Sequence, residues 1–516
     1  MKIELNSQFK KALDLIEDTS QNLFITGRAG TGKSTLLKVF KEKTQKNPVV
    51  LAPTGVAAVN VEGQTIHSFF GFKPDITPAK VSKLKVYDPD LYRSLKIIII
   101  DEISMVRADL LDCVDRFLRK YGPIKKLPFG GVQMVFIGDL YQLAPVVTSQ
   151  EREFFNGSYY FTPYFFGAKV FQDPAFEMEL VELEKVYRQK DDQFLRLLNA
   201  ARNKSITEID LGWLNQRYFP DFEPAQDDFF IYLTSTNKQS DEINQRELDK
   251  LSTELYSFQA KITGDFDKNS IPTAEILNLK SGAQVMMLNN DSSGRWINGT
   301  VGKILTVKKD ENEDYYLLIR LEDGQKVRVT PHRWDIYRYF LKGKEIQSET
   351  VGSFTQFPIR LAFAITIHKS QGKTFEKVII DLGRGAFAHG QSYVALSRCV
   401  SFEGLILKKP LKMSDLRLDW EVVKFLTSYQ YYLAGRNLSL NDKVALIEKA
   451  IEENKNLIMT YLKAKDEKSI RTIKPLKIGE MEYKGFVFFG LEAFCLTKND
   501  SRVFNVERIL ELRVED

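Results

Sequence analysis

The stretch NLFITGRAGTGKSTLLKVF, residues 22–40, decides the fold. It reads as a short apolar strand, a glycine-rich turn and the first turns of a helix, and the turn GRAGTGKS at Gly27–Ser34 matches G-x-x-x-x-G-K-[ST] in full. Strand, loop and helix in that order are the context in which this pattern cradles phosphate. Glycines permit positive φ and let backbone N–H groups close around phosphate oxygens, while Lys33 reaches the β and γ phosphates and Ser34 supplies a Mg²⁺ ligand. The expected nucleotide-binding set is Gly27, Gly30, Thr31, Gly32, Lys33, Ser34 and Thr35, with ATP and Mg²⁺ as cofactors. An incidental glycine turn is the alternative, and the flanking strand and helix weigh against it.

Working outward, PVVLAP at 48–53, KIIIID at 96–101 and QMVFIGD at 133–139 are continuous apolar runs, as parallel strands buried on both faces require. They predict a doubly wound α/β domain over residues 1–180, with a small insertion at about 66–90. Asp101 and Glu102 then stand at the carboxyl end of a strand, where an open α/β sheet places its ligand. Asp101 suits the Mg²⁺ water shell, and Glu102 suits orienting and deprotonating the attacking water. Gln142, in GDLYQLAPV, falls at the same edge, within reach of the γ phosphate or the water.

A second α/β unit is expected over 181–254 and 359–410, carrying Arg188 in VYRQ and Arg398 in SYVALSRC. Two arginines from a facing domain would stabilise charge on the transferring phosphoryl group; taken singly, either reads equally well as a solvated helix residue. The unit is interrupted at 255–358 by short alternating segments between turn residues, which suggest an inserted antiparallel β-barrel. A helical connection over 411–433 and an accessory module over 434–516, opening with a Lys/Glu-rich helix, complete the predicted α/β architecture.

Composition sets the outer limits. With 516 residues, 43% apolar and 27% charged, the chain is large enough for several cores without disulfides, and disordered, collagenous and coiled-coil classes fit poorly. Lys plus Arg is 73 against 68 acids, a formal +5 that is compatible with nucleic acid without requiring it. Three scattered cysteines have no C-x-x-C spacing, so zinc is not expected and a reducing cytoplasm is. No signal-peptide core and no run near the ~18 apolar residues of a membrane helix is found, so no membrane role is expected.

The ordered set GRAGTGKS, LAPTGVAAVNV, GQTIHSFF, IIIIDEISM, GDLYQLAPV, VYRQ, TIHKSQGKTF and YVALSRC resembles the motifs of superfamily one helicases, group B. More narrowly it resembles the Pif-one (petite integration frequency) family, supported by FLRLLNAARN at 194–203, and the resemblance covers roughly residues 1–410. It implies two RecA-like domains with parallel sheets and a monomeric, ATP-driven 5′→3′ helicase acting on single-stranded DNA. Tailed or forked duplex, G-quadruplex and RNA–DNA hybrid are the implied substrates, genome maintenance the setting, and a nucleoid association the location in a bacterium.

The same resemblance makes Gln8 the adenine-reading glutamine. It places Pro53, Thr54, Gly55, His67, Ser68 and Phe69 on the DNA strand from the first domain, and Thr234, Asn237, His368 and Lys369 from the second. Ser370, Gln371 and Gly372 resemble the element that couples ATP to DNA. These residue types bind phosphate oxygens or stack on any base, which suits a translocase that must ignore sequence. His67 and His368 read alternatively as core histidines, and Phe69 and Phe70 as core aromatics. GRWINGTVG at 294–302 resembles a segment of the family's second inserted domain and reads alternatively as a hairpin with a packed Trp. At the C-terminus, Arg502, Phe504 and Arg508 carry a resemblance to the end of a WYL domain, which can bind ligand or nucleic acid.

Two other classes compete. One is an ATP-switched scaffold whose C-terminal module senses a ligand. The other is a RecD-type subunit of a helicase-nuclease, although no separate nuclease cluster of Asp, Glu and Lys stands in the unassigned segments.

Overall fold

The computed structural model describes residues 6–515 apart from 149–150, 156, 158, 188–190, 226, 265–270, 343–344, 384, 386–387 and 484. Arg188 therefore lies outside the described residues. The apolar runs build a six-stranded, all-parallel sheet in the order Gln64–Thr65, Val49–Ala52, Ile97–Ile100, Gln133–Ile137, Asn22–Gly27, Met178–Leu183. Ile97 to Ile100 are all 0% exposed, and each buried side chain of that size contributes about 1.5–3 kcal/mol. Helices Ser7–Asp18 and Lys33–Lys43 cover one face, burying Phe9, Ile16, Leu36 and Phe40 in the same core as Leu23 and Ile25. The last strand runs to Leu183, past the expected limit at 180.

A second parallel sheet, ordered Ala364–Thr366, Ile231–Thr234, Val378–Asp381, Leu405–Leu407, forms the facing lobe. Between its strands the chain inserts a β unit. Five antiparallel strands, ordered Lys326–Val329, Tyr315–Leu321, Val301–Lys309, Gln284–Met287, Ile359–Leu361, share one core with the ladder of Leu255–Gln259 and Ile276–Lys280. Trp296 is packed in that core, 6% exposed. Ile359–Leu361 pairs with Gln284–Met287, so residues assigned to the second lobe from sequence serve the insertion.

From the same insertion rises a long hairpin, His332–Lys342 against Glu345–Gln356. It reaches the first lobe: the backbone N–H of Val50 donates to the Tyr339 hydroxyl at 3.4 Å, and the Gln64 side-chain amide donates to the Tyr337 carbonyl.

Leu418–Asp516, with Asn203–Ser205, form a second compact unit. Helix Trp420–Asn437 belongs to it, so the sequence-expected division at 433/434 falls inside a helix. A capped helix, Leu440–Glu452, packs on an antiparallel five-stranded sheet ordered Asp500–Asn505, Phe486–Cys495, Glu467–Tyr483, Leu457–Lys463, Ile509–Val514. Ile447, Leu457, Ile473, Leu491 and Phe504 form its core. Arg502 pairs with Asp500 at 2.7 Å, and Phe504 packs edge-on against Tyr461. Among the described residues no helix is long and apolar enough to cross a membrane.

Candidate functional site

The glycine loop connects strand Asn22–Gly27 to helix Lys33–Lys43. Gly32 opens that helix at φ +88°, and a Cβ there would lie 2.9 Å from Phe9 Cζ, so both backbone and packing demand glycine. Lys33 Nζ donates to the carbonyls of Gly27 at 2.7 Å and Arg28 at 3.0 Å, laying its charge across the loop. Thr31 is 1% exposed, and its hydroxyl donates to the Arg28 carbonyl at 3.0 Å. Gln8, on the helix before the strand, accepts from the Glu184 N–H at 3.0 Å.

Asp101 and Glu102 leave the end of strand Ile97–Ile100. Burial pushes the Asp101 carboxyl up to about 6, and burial together with the Asp101 charge pushes Glu102 up to about 7, both opposed by Lys33. Glu102 sits at φ +50°, ψ +43°, a left-handed conformation that costs a non-glycine residue about 1–3 kcal/mol. Nearby, the fully buried Asp139 accepts from Arg202 at 3.3 Å, from the Tyr141 N–H at 3.2 Å and from Gln142 Nε2 at 3.1 Å. Arg202 also stacks over the Tyr141 ring at 3.9 Å. Gln142 is thereby held at the same edge as the acids, 7% exposed.

The second lobe answers with cations. Arg398, 1% exposed, donates to the carbonyls of Val394, Ser370 and Lys373 at 2.9, 3.3 and 3.0 Å, and its charge is felt at Glu102. Two of the residues it grips, Ser370 and Lys373, belong to the segment Ile367–Lys373, whose Gln371 Nε2 donates across the cleft to Glu102 Oε2 at 3.3 Å. Gly372, in the same segment, has φ +75°.

Behind Gln371 lies a cavity of about 810 Å³ lined from both lobes and the insertion by Thr54, Asn298, Arg360, His368, Lys369 and Lys373. Burial lowers Lys373 to about 7, with the Arg360 charge adding; burial lowers His368 as well, and lowers Arg360 and Lys369 against the opposing charge of Asp241, which also lines the cavity. Cations crowded at a low-dielectric wall are stabilised by an anion, and a phosphate chain supplies one per nucleotide.

The structure divides the sequence-predicted strand-binding set. Thr54, His368 and Lys369 face this cavity. Gly55 and Ser68 line a smaller one of about 120 Å³, roofed by Asp335, Ile336 and Arg338 of the hairpin. Pro53 and His67 are half-buried, and burial lowers the His67 imidazole against the opposing Asp109 charge. Phe69 is 5% exposed and meets Phe70, Tyr92 and Tyr339 edge-on, because the hairpin closes over it. Thr234 is 0% exposed, its hydroxyl donating to the Thr236 carbonyl at 3.1 Å, while Asn237 stands exposed at the start of helix Asn237–Asp249. Phe69 and Thr234 present no side chain to a strand in this arrangement.

Sequence reasoning passed over Arg202, Arg360, Lys373 and Tyr393. All but Arg360 lie inside stretches quoted for other reasons, FLRLLNAARN, TIHKSQGKTF and SYVALSRC, so a signal was there without a partner to give it meaning.

Comparison with known proteins agrees with this arrangement. A PIF1-like helicase model matches residues 4–209, and a WYL domain model matches 442–514. The ATP-dependent DNA helicase Pif1 of Bdellovibrio bacteriovorus is 34% identical over 418 residues, spanning 78% of this chain and 88% of that protein. The crystal structure of Bacteroides sp Pif1 in complex with ADP-AlF4 aligns at 37% identity with a TM-score of 0.75, covering 83% of this chain and 98% of the other. Bacteroides Pif1 bound to ssDNA aligns over the same shares at 37% identity with a TM-score of 0.60. At that identity and coverage, the chain belongs to the PIF1-like helicase family.

Proposed function

We propose that this chain, an ATP-dependent DNA helicase by its family, moves 5′→3′ along single-stranded DNA and opens duplex from a tailed or forked end. The single observation that carries the reading is the hydrogen bond from Gln371 to Glu102. Both residues line the cationic cavity, so the acid beside the nucleotide loop is itself part of that cavity's wall and a change at one is felt at the other.

In this mechanism the amides of Gly27–Ser34 and Lys33 hold the phosphates, and Gln8 reads the adenine edge. Ser34 and Asp101 would hold the metal. Their donors are a hydroxyl and a carboxylate, hard oxygens of the kind Mg²⁺ takes. Burial, which raises the carboxyls of both Asp101 and Glu102, and the Asp101 charge, which raises Glu102 further, are offset by a cation beside them. Bound there, Mg²⁺ supplies charge neutralisation for the β and γ phosphates. Glu102 orients and deprotonates the water, Gln142 contacts the terminal phosphate, and Arg398 with Arg188 stabilises the charge that develops on it. Arg398 is bonded to the Ser370 and Lys373 carbonyls, so an arginine drawn to phosphate pulls the strand-gripping segment with it. If Thr54 on one lobe and His368 with Lys369 on the other alternate in grip, the strand advances by about one nucleotide per cycle.

G-quadruplex and RNA–DNA hybrid unwinding, action as a monomer, and a place in genome maintenance in the cytoplasm or on the nucleoid belong to the same reading.

The test is ATP turnover with and without single-stranded DNA, run beside unwinding of duplexes with a 5′ or a 3′ tail. DNA-stimulated turnover with opening of the 5′-tailed duplex alone is expected. Opening of the 3′-tailed duplex alone would reverse the polarity, and unstimulated turnover with neither opened would remove the motor.

A further inference from the structure

One buried polar group of the second lobe has no role in the mechanism above. Tyr393, in the short helix Gln391–Leu396, is 5% exposed, and its hydroxyl accepts from the backbone N–H of Ala29 at 3.2 Å. Ala29 is the third residue of the glycine loop, whose amides are the loop's donors for phosphate oxygens. A phenol oxygen from the facing lobe thus occupies a loop amide. The contact uses only the oxygen lone pair, and a phenol that accepts in this way keeps its own proton for donation.

The tyrosine is seated by an unusually close approach. Gly390, at φ +72°, precedes the helix, and a Cβ there would lie 2.4 Å from the Tyr141 carbonyl oxygen and 2.5 Å from that of Gln142. Only glycine fits, so the helix rests directly on the loop that presents Gln142. On its other side, the Ser392 hydroxyl donates to the Asp415 carbonyl at 2.7 Å. Five residues after Tyr393 comes Arg398, so one short segment delivers a guanidinium and a phenol to the same cleft.

We propose that Tyr393 is a terminal-phosphate residue: its hydroxyl accepts from Ala29 N–H and donates to a γ-phosphate oxygen, so the second lobe distinguishes a nucleoside triphosphate from a diphosphate. This rests on the reading of Gly27–Ser34 as the nucleotide loop. With a diphosphate bound, the phenol has Ala29 alone and the lobes lose one of their links through the ligand. Arg398 supplies charge, whereas Tyr393 supplies a directed donor whose geometry is set by the loop itself.

Tyr393→Phe removes one oxygen and keeps the packed ring. Equilibrium binding of fluorescent ADP and of a fluorescent non-hydrolysable ATP analogue to the full-length protein is the measurement. The variant should bind the analogue about ten-fold more weakly, the size of one hydrogen bond to a charged group, with ADP affinity unchanged. Unchanged ADP affinity also shows the variant to be folded. Gly390→Ala, which keeps the phenol group but shifts the helix that carries it away from the loop, should show the same selective loss. Equal weakening of both nucleotides in Tyr393→Phe, or no change in either, overturns the proposal. Wild-type protein that binds neither nucleotide would instead overturn the loop reading on which it stands.

Discussion

The two lobes are built alike and charged in opposite senses. Each is a parallel sheet whose strand ends open on one cleft, where doubly wound folds place their ligands. From the first lobe those ends deliver a glycine loop and the carboxyls of Asp101, Glu102 and Asp139. From the second, the segment after strand Ala364–Thr366 delivers His368, Lys369 and Lys373, and the end of helix Gln391–Leu396 delivers Arg398. The fold fixes where a side chain emerges, and the residue type decides what it does there. Acids on one side suit metal and water, and cations on the other suit phosphate. Lys33 is the first lobe's own cation at the loop, and the second lobe adds Arg398 from across the cleft.

The division can be broken from the acid side first. Glu102→Gln is expected to cut ATP turnover by about 10³-fold while retaining ATP binding, so that ATP-trapped DNA complexes accumulate in gel-shift assays. Normal turnover would remove the water-activating role. Lys33→Ala should lower turnover by about 10²–10³-fold yet leave nucleotide-free binding of single-stranded DNA intact, because Lys33 does not line the cavity proposed for the strand. Fluorescence anisotropy with a labelled oligonucleotide checks this, and parallel loss of DNA binding would contradict the separation of tasks.

Arg202→Met sharpens the comparison where the charges meet. It leaves Asp139 buried without its cation, at about 3 kcal/mol in unfolding free energy from urea titration. Adding Asp139→Leu should recover part of that loss, and a double variant as unstable as the single one would show that the pair is not the cause. The smallest effect belongs to Tyr339→Phe, which removes a 3.4 Å hydrogen bond between hairpin and first lobe. Stability should fall by about 1 kcal/mol or less in the same titration.

What was legible in the sequence was local. Gly27–Ser34 and Asp101–Glu102 are consecutive residues, and backbone chemistry alone gives their spacing a meaning. The parallel strands were equally visible because burial on both faces leaves an unbroken apolar run such as IIII at 97–100. Features that depend on distant partners were not. Phe69 reads as a base-stacking ring until Tyr339, some 270 residues away, closes over it. Arg202 has no meaning before Asp139 and Tyr141 are placed beside it, and Tyr393 looks like a core residue until Ala29 is found at its hydroxyl. The pairing of His332–Lys342 with Glu345–Gln356 is local, but that the ladder reaches Val50 and Gln64 is not written in its own residues. The Lys/Glu-rich stretch after 434 marked a helix rather than the edge of its unit, because helix Trp420–Asn437 before it carries fewer charges yet belongs with it.

Glu102 is held in a left-handed backbone that its side chain does not favour. Selection for thermal stability and selection for turnover therefore pull position 102 in opposite directions. A library sorted only by melting temperature should drift there toward glycine, and the proteins that survive heating best would be motors that no longer burn fuel.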